Sequence, residues 1–429
     1  MKYIKQAAQR PIQDLKDLKS GVASIIETVQ LRGDKALIEY NIKFDDNHRT
    51  ELRVSADEIK QAYKTVSNEL IEDMKVAHDN IKAFAEAQRG SIADLPAIEV
   101  MPGIKLGHRV IPVDSCCCYV PGGNYPLFSS ALMLVVPAKV AGVNRIIACS
   151  PCKRGTGQIA PETLVALDIA GADEIYAVGG AHAIAACSYG TQSIAPVDLI
   201  VGPGNQYVTE AKRQCYGQIG IDFVAGPSEV MILADATADA QIIAADLLGQ
   251  SEHDFLAKGI LVSTSEALCF EVETEIQKQL PQLGTAAIAE KSWAQFGEII
   301  FVDSIEEGVN LCNELAPEHL ELALESPESI IPSLTNYGSL FIGEWSAEVL
   351  GDYISGTNHT LPTLRASRYT GGVYVGTFLK TLTHQTISPN ALSSVGPSAY
   401  RMAKAEGLDA HANAVGVRLN KTKTDFSNS

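Results

Sequence analysis

The spacing of apolar positions changes along the chain. Up to about residue 100 they recur three and four apart, as in SADEIKQAYKTVSNELIEDMKVAHDNIKAFAEAQ, which is one face of an α-helix. Ser55 stands as an N-cap, and Glu58 completes a capping box. From about Val110, short β-rich runs alternate with helical stretches. SCCCYVP, RIIACSP, EIYAVGG and VDLIVGP are strands, separated by helices in SSALMLVVPAKVAGV, PETLVALDIAG and AHAIAACSYG. EVMILAD, GILVSTS, GEIIFVD and GSLFIGE continue the pattern, with helices in DAQIIAADLLGQSEH, ALCFEVETEIQKQL and IEEGVNLCNEL. Strands separated by such helices form βαβ units. The chain is therefore predicted to be α/β, with two Rossmann-like parallel-sheet domains behind a helical N-terminal segment. From about Arg368 to Leu419 the pattern is mixed and builds no core of its own. That stretch reads as a tail needing another surface.

Composition narrows the function classes. A chain of 429 residues is too long for one ordinary core, and its net charge of −17 opposes nucleic acid or anionic lipid as the main partner. The start, MKYIKQAAQRP, has no apolar signal-peptide core, and the longest apolar stretch, Ala131 to Val143, is broken by Pro137 and Lys139. No membrane partner is expected. Nine cysteines, three of them consecutive, are not a disulfide framework, so a cytoplasmic, reducing setting is expected.

Candidate chemistry lies at several points. Glycine turns end strands at Pro121-Gly122-Gly123, Gly179-Gly180 and Gly202-Pro203-Gly204-Asn205; three at one sheet edge point to a nucleotide. The one dinucleotide-like match, Gly155 to Ala160, lacks an acidic residue after the next strand and is discounted. Gln250 and His253 share one helix face, Asp352 and His359 flank the loop DYISGTNH, and His411 lies in the tail. Imidazole and carboxylate suit zinc, but no local metal signature unites them. Cys149 and Cys152 form one pair without a second and read as buried. Glu318-His319 could supply a general base and acid, or could simply open a helix after Pro317, the simpler reading. Cys116 to Cys118 could supply a thiolate, although a buried strand favours inert packing.

VPGGNYPLFSSALMLVVPAKVAGV, VGPGNQYVTEAKRQ, AGPSEVMILAD, DLLGQSEHD, NELAPEHLEL and GDYISGTNHTLPT together resemble the histidinol dehydrogenase family, in order and interval. The resemblance implies one zinc per subunit on Gln250, His253, Asp352 and His411, with Glu318 and His319 catalytic. It implies substrate contacts from Ser228, Gln250, His253, His319, Asp352, His359, Glu406 and His411, and NAD contacts at Tyr119, His182 and Asn205. The implied reaction takes an alcohol through an aldehyde to an acid with two NAD: His319 accepts the alcohol proton, and Glu318 activates water. The implied assembly is a homodimer whose swapped tail carries Glu406 and His411 to the partner's site. These readings divide the chain into an N-terminal helical segment (1–18), a zinc and catalytic α/β domain (19–118 with 229–367), an NAD-side α/β domain (119–228) and a tail (368–429). His182 stands where the family has glutamine. ASRYTGGVYVGTFLKTLTHQT resembles a branch acting on other polar alcohols, such as 2,3-dihydroxypropane-1-sulfonate. The alternatives are therefore histidinol, another polar alcohol, or a zinc-bearing binding protein, against which the Glu318-His319 pair speaks.

Overall fold

The computed structural model describes residues 1–8, 15–122 and 126–426. Gly123 of the first glycine turn and residues 9–14 of the expected N-terminal segment lie outside them. The strands are β1 (Lys2–Lys5), β2 (Leu95–Met101), β3 (Ile104–Pro112), β4 (Ser115–Tyr119), β5 (Arg145–Cys149), β6 (Glu174–Tyr176), β7 (Leu199–Val201), β8 (Gly220–Ile221), β9 (Glu229–Ala234), β10 (Lys258–Ser263), β11 (Glu298–Phe301), β12 (His319–Ala323), β13 (Ser339–Ile342) and β14 (Leu379–Ile387). The chain divides into two compact units, Met1–Gln88 with Val113–Phe378, and Arg89–Pro112 with Leu379–Ser429.

The first unit holds both expected sheets. One is parallel, in the order β6-β5-β4-β7-β8. The other runs β1-β11-β10-β9-β12-β13 and is parallel except for β1, which pairs antiparallel with β11. That edge strand was not expected, since KYIK is too short and charged to show a periodic signal. Both sheets start in the middle and wind outward to each side in turn. Each therefore has a switch point, between β4 and β7 and between β9 and β12.

Burial on both faces explains the near-continuous apolar strands. Along β9, Val230, Ile232 and Ala234 join one core with Ile243, Leu247, Cys269 and Val272 from the helices Ala240–Ser251 and Glu266–Gln279. Met231 and Leu233 point to a second core with Val309 and Cys312 of helix Ile305–Leu315. Helix Ser129–Ala141 is buried on nearly every side, which is why its sequence carries no polar face.

The N-terminal helices pack on the five-stranded sheet. Val22, Ile26 and Val29, along one face of helix Lys16–Arg32, share a core with Cys117, Tyr119, Ile147 and Ile184. This differs from the expected grouping of 19–118 with 229–367. An amphipathic helix shows that it must bury a face, not which sheet receives it. The capping box forms as expected: the Ser55 hydroxyl accepts from Glu58 N–H, and the Glu58 carboxylate accepts from Ser55 N–H at 2.8 Å.

The second unit is built differently from the expected tail. β14 pairs antiparallel with β3 over its full length, from Leu379↔Pro112 to Ile387↔Ile104, and β2 joins the other edge of β3. The helices Pro389–Ala405 and Asp409–Phe426 pack on each other, closely enough that a Cβ on Gly396 would meet Leu419 at 2.9 Å. Ile98, Val100, Met101, Leu382 and Ile387 leave apolar side chains exposed on this sheet.

His182 lies inside the first unit, 1 % exposed. Its Nε2–H donates to Asn41 Oδ1 at 2.9 Å, and Asn41 Nδ2 donates to the Ala177 carbonyl at 3.2 Å. Burial pushes the imidazole down to about 3 from an ordinary 6.5, so it folds neutral. A depressed folded value means stability that is complete above pH 6.5 and lost as pH falls towards 3. At pH 5 the loss from this group is about 2 kcal/mol. His182→Gln will remove that loss, read as a smaller fall in the urea midpoint between pH 7.5 and pH 5. An equal fall in both proteins counts against this account.

Candidate active site

The helix of a βαβ unit returns antiparallel to its strands, so its last turn arrives at their amino ends. Helix Ala240–Ser251 follows β9 and so delivers Gln250 to the amino edge of the six-stranded sheet, with His253 just beyond its end. There β9 begins at Glu229 and β12 at His319, two neighbouring strands paired in register His319↔Val230. The short helix Glu348–Tyr353 adds Glu348 and Asp352, four residues apart on one face.

Glu318 and His319 open a strand, not a helix. In HLELA the period is two: Leu320 and Leu322 enter the core, and His319 and Glu321 share the other face. One residue's peptide groups hold both functional side chains. Glu229 N–H donates to the Glu318 carboxylate at 2.9 Å, and His319 Nδ1–H donates to the Glu229 carbonyl at 3.1 Å. Ser228 also donates its hydroxyl to Glu318. His319 Nδ1 is 3.3 Å from a Glu348 oxygen, and Nε2 is 3.8 Å from Asp352 Oδ1. With the proton on Nδ1, Nε2 presents a lone pair and has no hydrogen-bond partner among the described residues.

Burial dominates the electrostatics. It raises Glu318 well above the carboxylate range, aided by the charges of Glu229 and Asp352 and opposed by the Glu229 N–H and the Ser228 hydroxyl. Burial lowers His319 to about 3, against the pull of the Glu229 carbonyl. Asp352 is raised to about 6 by burial, which His253 opposes. Burial thus disfavours the charged form of both groups. Behind it, Glu348 N–H donates to Glu321 at 2.9 Å, and burial lifts Glu321 to about 8.

Ligand atoms of His253, Glu348 and Asp352 lie within 4.8 Å of one another. Gln250, three residues before His253 at the same helix end, is buried, and among the described residues neither its Oε1 nor its Nε2 has a hydrogen-bond partner. An unpaired buried carboxamide is costly, and a cation would satisfy it. Imidazole, carboxylate and carboxamide donors together suit zinc. Glu348 was missed in the sequence, although its spacing to Asp352 was a usable signal.

The site opens into a cleft of about 130 Å³, lined among others by Ser130, Pro203, Phe223, Ser228, His253, Glu318, His319, Asp352 and His359. His359 is placed as a wall residue: Nδ1–H donates to the Asp352 carbonyl at 2.9 Å, and Nε2 meets the Ser130 hydroxyl at 3.0 Å. Glu406 and His411 lie in the second unit and are exposed.

The three expected cofactor contacts differ among themselves. Tyr119 is buried, its hydroxyl accepting from Gly180 N–H at 3.0 Å, and Asn205 is exposed as the N-cap of helix Gln206–Cys215. His182 is enclosed on Asn41, as described. The thiols of Cys116, Cys117 and Cys118 are fully buried, and burial raises Cys118 far above the thiolate range. They are packing groups, as the bland reading of that strand held.

Comparison with known proteins fits this geometry. The family model described as histidinol dehydrogenase matches residues 8–419. The "histidinol dehydrogenase homolog" of Shouchella clausii (strain KSM-K16) is 43% identical over 98% of this chain and 99% of its own length. The histidinol dehydrogenase of Rhizobium meliloti (strain 1021) is 44% identical over 94% of this chain and 92% of its own. A crystal structure of histidinol dehydrogenase from Elizabethkingia anophelis superposes with a TM-score of 0.91 at 41% identity, covering 97% of this chain and 95% of that one. A family model spanning nearly the whole chain, relatives of this identity and a fold that superposes this closely together show that the chain belongs to the histidinol dehydrogenase family.

Proposed function

We propose that this enzyme oxidises L-histidinol to L-histidine through the aldehyde, using zinc and two NAD. The observation that carries the reading is His319 Nε2, which lies in the cleft with His253 and Asp352 and has no hydrogen-bond partner among the described residues. Gln250, His253 and Asp352 would hold the metal, which when bound supplies a charged anchor that orients the substrate's imidazole and amine. NAD when bound would supply the hydride acceptor, and His319 would accept the alcohol proton at Nε2. Its Nδ1–H stays on the Glu229 carbonyl, which keeps the tautomer fixed. Glu318 then activates water for attack on the aldehyde carbon. The cofactor side is the five-stranded sheet, where Tyr119 and Asn205 stand at the carboxyl ends of β4 and β7.

Glu406 and His411 complete the site from a partner subunit in this reading. The exposed apolar side chains of Ile98, Val100, Met101, Leu382 and Ile387 support such a homodimer, since patches of this kind mark contacts. A second reading keeps the chemistry but changes the alcohol, for example to 2,3-dihydroxypropane-1-sulfonate. The specific observation in its favour is the stretch from Ala366 to Thr386, which differs from the usual family tail.

Four experiments test these readings. NADH formation with L-histidinol, absent with the sulfonated diol, supports the first reading; the reverse moves it to the second. Glu318→Gln will cut turnover by about 10²–10⁴-fold and bring NADH formed per histidinol down from two towards one, and an unchanged stoichiometry removes Glu318 from the water step. Gln250→Ala or Asp352→Ala will lower the zinc content measured by mass spectrometry, and chelation will abolish activity until zinc is restored. Full activity in metal-free protein sinks the zinc assignment. Mixing Glu318→Gln with His411→Asn subunits tests the swap. Heterodimers then carry one doubly altered and one intact site, so roughly a quarter of normal activity returns. No recovery on mixing excludes a shared site.

A further inference from the structure

The turn that follows β7 is gripped from two sides by one buried ion pair. Gly202 has φ +123°, and a Cβ there would lie 2.2 Å from the Tyr119 carbonyl oxygen, so only glycine fits. Its carbonyl accepts from Lys212 Nζ at 2.9 Å, and its N–H donates to Asp222 Oδ2 at 2.8 Å. Lys212 and Asp222 pair with each other, at 3% and 1% side-chain exposure. The second Asp222 oxygen accepts from Phe223 N–H at 2.7 Å, and the Lys212 ammonium lies 5.8 Å from the centre of the Phe223 ring.

Three separate pieces of chain are tied at this point: the end of β7, helix Gln206–Cys215, and the segment 222–228 that leads into β9. The residues next to the two tied backbone positions are Pro203 and Phe223, and both line the cleft that contains Glu318, His319 and Asp352. A lysine behind a glycine turn suggests a phosphate ligand. Here the ammonium is already engaged by Asp222 and the Gly202 carbonyl, and it is out of solvent.

We infer that Lys212 and Asp222 are positioning residues for NAD binding, holding Pro203 and Phe223 as one wall of the cleft without touching the cofactor. The inference rests on the NAD reading of the five-stranded sheet. Charge-assisted hydrogen bonds hold their geometry more tightly than neutral ones. A buried pair need not add net stability, and a neutral pair of similar volume often folds as well, whereas a single deletion leaves a buried charge alone. The informative variant is therefore the double one, Lys212→Met with Asp222→Asn, in the full-length enzyme.

Isothermal titration with NAD, steady-state kinetics, zinc content and thermal midpoint are measured together. The Kd and KM for NAD rise about tenfold or more, while kcat stays within about threefold and zinc content and midpoint stay near wild type. Unchanged NAD affinity overturns the inference. So does a loss of affinity matched by losses of zinc and of thermal midpoint, which would make the pair merely structural. If the double variant does not fold, Lys212→Arg, which keeps the charge but alters the contact with the Gly202 carbonyl, gives the same reading through a smaller rise in Kd. Wild-type enzyme that binds no NAD overturns both this inference and the cofactor reading. Wild-type enzyme that binds NAD without oxidising L-histidinol overturns the substrate alone, and the role of the pair is still decided by Kd.

Discussion

The site depends on the backbone of Glu229. Its N–H takes the Glu318 carboxylate and its carbonyl takes His319 Nδ1–H, so one peptide residue sets the acid and the imidazole tautomer together. That arrangement exists because β12 lies beside β9 in parallel register, with His319 opposite Val230. A one-residue slip would turn His319 into the core and Leu320 into the cleft. The register is secured by Leu320 and Leu322, which share a core with Met231 and Leu233. Ordinary core packing therefore fixes the placement of the reactive nitrogen.

The two sheets contribute opposite edges. Glycine turns of the five-stranded sheet stand at the carboxyl ends of β4 and β7, where open α/β sheets usually bind ligands. The six-stranded sheet instead offers the amino ends of β9 and β12, together with the helix end that carries Gln250. The segment 222–228 joins the two edges directly: Asp222 belongs to the turn network of one, and Ser228 donates to Glu318 of the other. His359 adds a second tie, from the Asp352 carbonyl to Ser130 on helix Ser129–Ala141.

Burial gives these groups their resting states. Glu318 and His319 are each at most 4% exposed, and desolvation disfavours the charged form of both. Desolvation thus pushes both groups towards their uncharged forms. The thiols of β4 show the same force with the opposite consequence. Burial packs Cys116, Cys117 and Cys118 into the core and pushes the Cys118 thiol well up, away from thiolate.

Much of the molecule was legible in the chain. Strand and helix periods marked both parallel sheets, Ser55 and Glu58 marked a helix start, and the buried β4 cysteines read as packing. The blocks around Gln250, Glu318 and Asp352 carried the family. Period alone did not show that HLELA is a strand: five residues fit either reading until β9 supplies a partner. Nor could it show β14 beside β3, since that pairing joins Leu379 to Pro112 and Ile387 to Ile104, far apart along the chain. Glu348 escaped notice because a carboxylate becomes a candidate ligand only when His253 and Asp352 are brought within reach of it. The local sequence determined which elements form and which faces must be buried, because both follow from side-chain spacing. The tertiary structure alone decided which elements meet, because pairing and burial are satisfied only by partners distant along the chain.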